Sequence, residues 1–112
     1  QGITQQVIFP YSEQLKFLGE WFVQLLAEST GKENKQGVSV GVTPLVAVGA
    51  RDQHSSLQLF SDGPKDKLFL FLKVKNFGVD MKITEENLDN NFKFLENISF
   101  GELINAEIDG TK

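Results

Sequence analysis

Two side chains stand out as fitted for moving protons, Glu28 and His54, and a charged loop and an apolar run separate them along the chain. His54 is the only histidine. It lies in Gly49-Ala50-Arg51-Asp52-Gln53-His54-Ser55, where the apolar run Thr43–Gly49 gives way to a helical pattern. In the first turn of a helix the free amides point outward with positive potential, a setting that suits a neutral imidazole able to accept a proton. Glu28 falls in the last turns of an earlier helical pattern, at the negative end of its dipole, with Phe17 and Trp21 on the same flank. A carboxylate held there against aromatic rings is suited to taking a proton and returning it. Gln24, four residues before Glu28, points the same way. Proton abstraction next to a carbonyl needs little beyond such groups, apart from a cation or amide donors for the enediolate. Taken singly, each has a plainer reading: a solvated glutamate at a helix end, and a surface histidine beside a cap.

Other chemistries are narrowed by what the chain contains. With no cysteine and one histidine it offers neither a disulfide, a thiolate nucleophile, nor a cysteine- or histidine-rich zinc site. No Walker-type phosphate loop, dinucleotide-binding glycine pattern or Gly-x-Ser-x-Gly elbow is present. A net charge of -4 argues against nucleic acid or an anionic membrane as the main partner. The absence of a long apolar run makes a soluble, cytoplasmic protein the expectation. At 112 residues there is room for one domain at most, and the start at Gln1 rather than methionine suggests a piece of something longer.

The elements that must carry Glu28 and His54 follow from periodicity. Gln6–Pro10 is a short apolar run closed by proline, which predicts a buried strand. From Ser12, a candidate cap, to about Thr30 the pattern is helical, with Leu15, Leu18, Phe22, Leu25 and Leu26 forming the stripe expected to face the core. Gly31 supplies its stop, and 32–41 reads as a charged loop without usable periodicity. Asp52 is the expected cap of a helix over 53–62, ended by Gly63-Pro64. Lys67–Val74 is nearly continuous in apolar residues and reads as a strand covered on both faces. Residues 76–91 are mixed, with a short helix expected around 85–92. Ser99-Phe100-Gly101-Glu102 has the form of a capping box, with Ile98 and Leu103 as its hydrophobic staple. Helices alternating with buried strands predict an α/β fold, a three-layer sandwich with a mainly parallel sheet flanked by helices, here incomplete.

The run Gln24-Leu25-Leu26-Ala27-Glu28-Ser29-Thr30-Gly31-Lys32, followed by Gly41-Val42-Thr43-Pro44, Gly49-Ala50-Arg51-Asp52-Gln53-His54-Ser55 and Asp62-Gly63-Pro64-Lys65-Asp66-Lys67, resembles the glucose-6-phosphate isomerase family, the bacterial forms above all. Gly101 to Lys112 is similar to the segment that precedes the family's last catalytic region. The resemblance implies one partial domain over residues 1–112, part of the C-terminal sugar-isomerase (SIS) domain of a longer cytoplasmic enzyme of glycolysis and gluconeogenesis. It implies roles as well. Glu28 matches the glutamate that moves a proton between two carbons through a cis-enediol. His54 matches the histidine that assists sugar-ring opening and is contributed across a homodimer interface. Gln24 matches a glutamine at the substrate's phosphate end, and Lys32 and Gln53 take supporting places. No metal or organic cofactor is implied, and the partner is a sugar phosphate. Thr30 departs mildly from the asparagine or leucine common in the family. Its phosphate-binding serine–threonine loop, its arginine and its closing lysine match nothing here, so the chain alone is expected to be close to inactive. The competing expectation keeps the fold and drops turnover: a non-catalytic sugar-phosphate-binding or dimerisation module of the same type.

Overall fold

The computed structural model describes residues 2–112, apart from the side chain of Asn87. Strand β1 (Gln5–Pro10) leads through a single 3-10 turn into helix α1 (Lys16–Thr30). The charged loop forms a small hairpin, β2 (Lys32–Glu33) with β3 (Ser39–Val40). Then come β4 (Thr43–Val46), α2 (Gln53–Asp62) and β5 (Lys67–Leu72). Two 3-10 segments, Glu85–Asn87 and Asn90–Leu95, precede α3 (Phe100–Thr111).

The main sheet has the order β4-β1-β5 and is parallel throughout. Parallel strands require a crossover, and α1 and α2 supply the two here. β1 is central, with apolar side chains on both faces. Val7, Phe9 and Tyr11 project to one face and are fully buried. There they meet Ala47, Phe60 from α2, Phe69 and Phe71 from β5, and Ile104 and Ile108 from α3. Ile8 projects to the other face, onto α1 beside Val46. Helices thus cover both faces and make the three layers. An aromatic row binds the strands to α2: Phe9 stacks on Phe71 at 5.6 Å, Phe71 on Phe69 at 5.9 Å, and Phe69 meets Phe60 edge-on at 5.1 Å. Phe9, fully buried, contributes on the order of 1.5–3 kcal/mol, and the half-buried Phe60, Phe69 and Phe71 contribute less.

Several expectations need correction. The buried strand is β1; β5 lies at an edge among the described residues, half-buried, with Leu68 exposed. α1 does not bury the whole predicted stripe. Leu15, Phe22 and Leu26 are half-buried, while Leu18 and Leu25 are exposed. The reason is that α1 seats on the sheet through Gly19, its one buried residue, where an added Cβ would stand 2.6 Å from Val46. Phe22 and Leu26 share the face that Gly19 brings to the sheet, whereas Leu18 and Leu25 lie about 100–120° round the helix from it. Ser12 makes no side-chain cap, and Gly31 and Gly63 end their helices in extended rather than left-handed backbone. The capping box is as expected. Ser99 accepts from the Glu102 amide at 3.1 Å, and the Glu102 carboxylate accepts from the Ser99 amide at 2.8 Å.

The hairpin and the stretch 75–97 leave the sheet and are largely exposed, so the molecule is drawn out to 65 × 30 × 18 Å. Its radius of gyration of 18.1 Å exceeds the roughly 13 Å of a compact chain of this length. Gly19→Val should cost about 1–3 kcal/mol through overpacking at the α1–β4 contact, read as a lower denaturation midpoint. An unchanged midpoint would show that α1 does not rest on the sheet at this residue.

Candidate functional site

The path that presents His54 begins where β4 runs past its last residue. The Ala47 amide donates to the Ile8 carbonyl at 3.0 Å and the Gly49 amide to the Pro10 carbonyl at 2.9 Å, so the chain follows β1 beyond the sheet edge. At Gly49 it lies flat against Tyr11, and a Cβ there would sit 2.5 Å from the ring. The turn then closes on itself. The Asp52 amide donates to the Val48 carbonyl at 2.8 Å, and the Val48 amide donates to Asp52 Oδ2 at 2.7 Å. Asp52 therefore does not cap α2, contrary to expectation, because its carboxylate is already committed to the turn.

Arg51 completes the brace. Its guanidinium donates to both Asp52 oxygens, at 2.9 and 3.0 Å, and reaches Glu13 Oε1 at 3.1 Å. This fork, helped by the Val48 amide and opposed by desolvation, holds the Asp52 carboxyl below the usual carboxylate range. Inside the turn a second set of contacts fixes the start of α2. Gln53 Nε2 donates to the Tyr11 hydroxyl at 2.7 Å and to Thr111 Oγ1 at 2.5 Å, and Tyr11 donates to Thr111 at 2.9 Å. His54, the next residue, is exposed.

Glu28 and Gln24 are exposed at the other end of α1. The two share one side of the helix, a turn apart. The aromatic flank expected to shield Glu28 is open, with Phe17 73% and Trp21 56% exposed. Lys32 begins the exposed hairpin just beyond. α1 starts next to Tyr11 at the sheet's C-terminal edge and runs against the strands to their N-terminal edge, where Thr30 Oγ1 lies 3.5 Å from the Val42 carbonyl. His54 stays at the C-terminal edge. Helix and strand dimensions put on the order of 20 Å between Glu28 and His54 within one chain. The fold brings Gln24 and Glu28 together and keeps His54 apart from them. Among the described residues no three Asp, Glu or His side chains converge in a way that could hold a metal ion, and no helix is long and apolar enough to cross a membrane.

Sequence reasoning missed Tyr11, Thr111 and the brace of Arg51 on Asp52. Tyr11 and Thr111 carry no local signal, since their meaning is a contact between opposite ends of the chain. The Arg-Asp pair was visible as adjacent charges, but a capping role for Asp52 concealed it.

A parallel sheet with helices on both faces, exposing acid–base candidates at two edges, defines an α/β protein. The fold matches a crystal structure of a hypothetical protein from Thermus thermophilus with a TM-score of 0.90 and 38% identity, over 97% of this chain and 26% of that one. No family model matches the chain. It is 47% identical to a glucose-6-phosphate isomerase from Campylobacter jejuni, over 94% of this chain and 26% of the relative. It is 44% identical to a probable glucose-6-phosphate isomerase from Methanococcus maripaludis, over 100% of this chain and 24% of the relative. The chain is similar to glucose-6-phosphate isomerases along its own length and spans about a quarter of the length of the curated relatives it matches.

Asp52 gives the turn a pH signature. Its folded pKa is lowered, so the stabilisation is whole above the ordinary aspartate range, about pH 4, and is lost as pH falls through and below it. Asp52→Ala should lower stability by about 1–2 kcal/mol at neutral pH, measured by urea denaturation, with the difference from the parent shrinking as pH drops below about 4. A constant difference across that range would contradict the brace.

Proposed function

We propose that this chain forms part of the second sugar-isomerase domain of a longer, cytoplasmic glucose-6-phosphate isomerase, which interconverts glucose 6-phosphate and fructose 6-phosphate in glycolysis and gluconeogenesis. The observation that carries the reading is the identity with isomerases along the whole chain, spanning the segments that hold Gln24, Glu28, Gln53 and His54. The exposure of Gln24, Glu28 and His54 at sheet edges supports it, because each is free to meet a substrate or a second protomer.

In this reading the cyclic sugar opens first. His54, contributed by a neighbouring subunit of a homodimer, helps move the anomeric hydroxyl proton to the ring oxygen. Glu28 then removes the proton from C2 of the open-chain aldose, the carbonyl oxygen gains one, and a cis-enediol forms. Return of a proton to C1 and loss of the hydroxyl proton at C2 give the ketose. One carbon is oxidised as its neighbour is reduced, so the step balances without an external redox partner. Gln24, one turn from Glu28, gives an amide donor to the phosphate end. The separation of Glu28 from His54 in one chain supports a site that draws them from two chains.

In the full-length protein, Glu28→Gln should lower kcat by about 10²–10⁴-fold and abolish exchange of the substrate's C2 proton with solvent, with KM little changed. Retained exchange in Glu28→Gln would remove Glu28 as the base, whereas a parent protein that binds glucose 6-phosphate without exchange or turnover would favour a sugar-phosphate-binding or dimerisation module. The 112-residue chain alone should convert no detectable glucose 6-phosphate, and near-native turnover by it would contradict a site completed from elsewhere.

A further inference from the structure

The first turn of α2 lacks the device that normally fixes such a turn. The amides at a helix start have no intrahelical acceptors, and an N-cap side chain usually satisfies one of them. Here Asp52 is committed to Val48 and Arg51, and α2 has no side-chain cap. What holds the turn instead is the first helical residue, Gln53, through a directed network of hydrogen bonds. The Thr111 hydroxyl donates to the Glu107 carbonyl at 2.8 Å, and a carbonyl can only accept. The single Thr111 proton is therefore spent, and its oxygen accepts from Tyr11 and from Gln53. Tyr11 in turn spends its proton on Thr111 and accepts from Gln53. Only the amide nitrogen of Gln53, with two protons, satisfies both hydroxyls at once. The Tyr11 side chain is fully buried, so a group left without its partner there is costly.

We infer that Gln53 is a positioning residue for His54: its amide, locked between Tyr11 at the end of β1 and Thr111 at the end of α3, sets the axial position and rotation of the first turn of α2. Successive helical residues project about 100° apart. With Gln53 pinned inward, His54 is aimed outward in one direction. The inference rests on the proton-transfer role proposed for His54 and adds a residue that touches no substrate.

The test is a double-mutant cycle on kcat in the full-length enzyme, with glucose 6-phosphate as substrate. Gln53→Met keeps the side chain's length and removes both donors. It should lower kcat about 10-fold or more, as expected for a catalytic group displaced by about 1 Å or less, with KM changed less than about twofold. In a His54→Ala background the same change should cost nothing further, because there is no imidazole left to misplace. Tyr11→Phe, which removes one acceptor with little change of shape, should act in the same direction more weakly and give the same non-additivity if Gln53→Met does not fold. A reduced His54→Ala enzyme beside an unaffected Gln53→Met enzyme overturns this inference alone, as does an equal loss from Gln53→Met in both backgrounds. An unaffected His54→Ala enzyme overturns the role of His54 and this inference with it.

Discussion

The parallel pairing of β1 with β4 constrains everything else in the molecule. Two adjacent parallel strands need a connection that returns the chain to the edge where the first strand began, and α1 makes that return. Its direction is then no longer free. α1 must open at the C-terminal edge of the sheet and close at the N-terminal edge, and its last turns carry Glu28 and Gln24 there. β4 runs the chain back, so that whatever follows it, including His54, emerges at the C-terminal edge. The division of the candidate groups between two edges is a consequence of topology rather than of side-chain detail.

Two kinds of packing hold this topology. On one face, Val7, Phe9 and Tyr11 sink into a continuous apolar layer built from α2, α3 and β5. On the other, α1 rests on the sheet through Gly19, with Phe22 and Leu26 half-buried beside it. Phe17, Trp21 and Leu25 are left uncovered on the flank that leads toward Glu28. The order of the turn before α2 has a different origin. There the backbone leaves the sheet, and hydrogen bonds from Asp52, Arg51 and Gln53 replace apolar burial.

How much of this was legible in the sequence depends on the range of the interaction. The bounds of α2, the capping box at Ser99 and the strand around Val7 to Pro10 rest on neighbouring residues, and each was readable from them. The type of fold followed from the alternation of elements. Which strand is central did not, because Lys67–Val74 is the longer apolar run while β1 is the one flanked on both sides. The orientation of α1 was hidden for a similar reason: its stripe is real, but Gly19 decides which part of it touches the sheet. At the site, Glu28, Gln24 and His54 were legible as residue types in a resembling motif. The Tyr11–Gln53–Thr111 contact spans nearly the whole chain and leaves no local trace.

The sheet holds Glu28 and His54 at opposite edges, and the proposal built on this is a working centre that takes one from each of two protomers. Subunit complementation tests it most directly. Full-length Glu28→Gln and His54→Ala, each nearly inactive alone, are mixed, dissociated and allowed to reassociate, and isomerase activity is measured. The account predicts recovery of about a quarter of parent activity, since half of the random dimers are mixed and each of these holds one intact composite site. No recovery from a preparation shown to contain mixed dimers would contradict it, because both groups would then serve a site within a single chain.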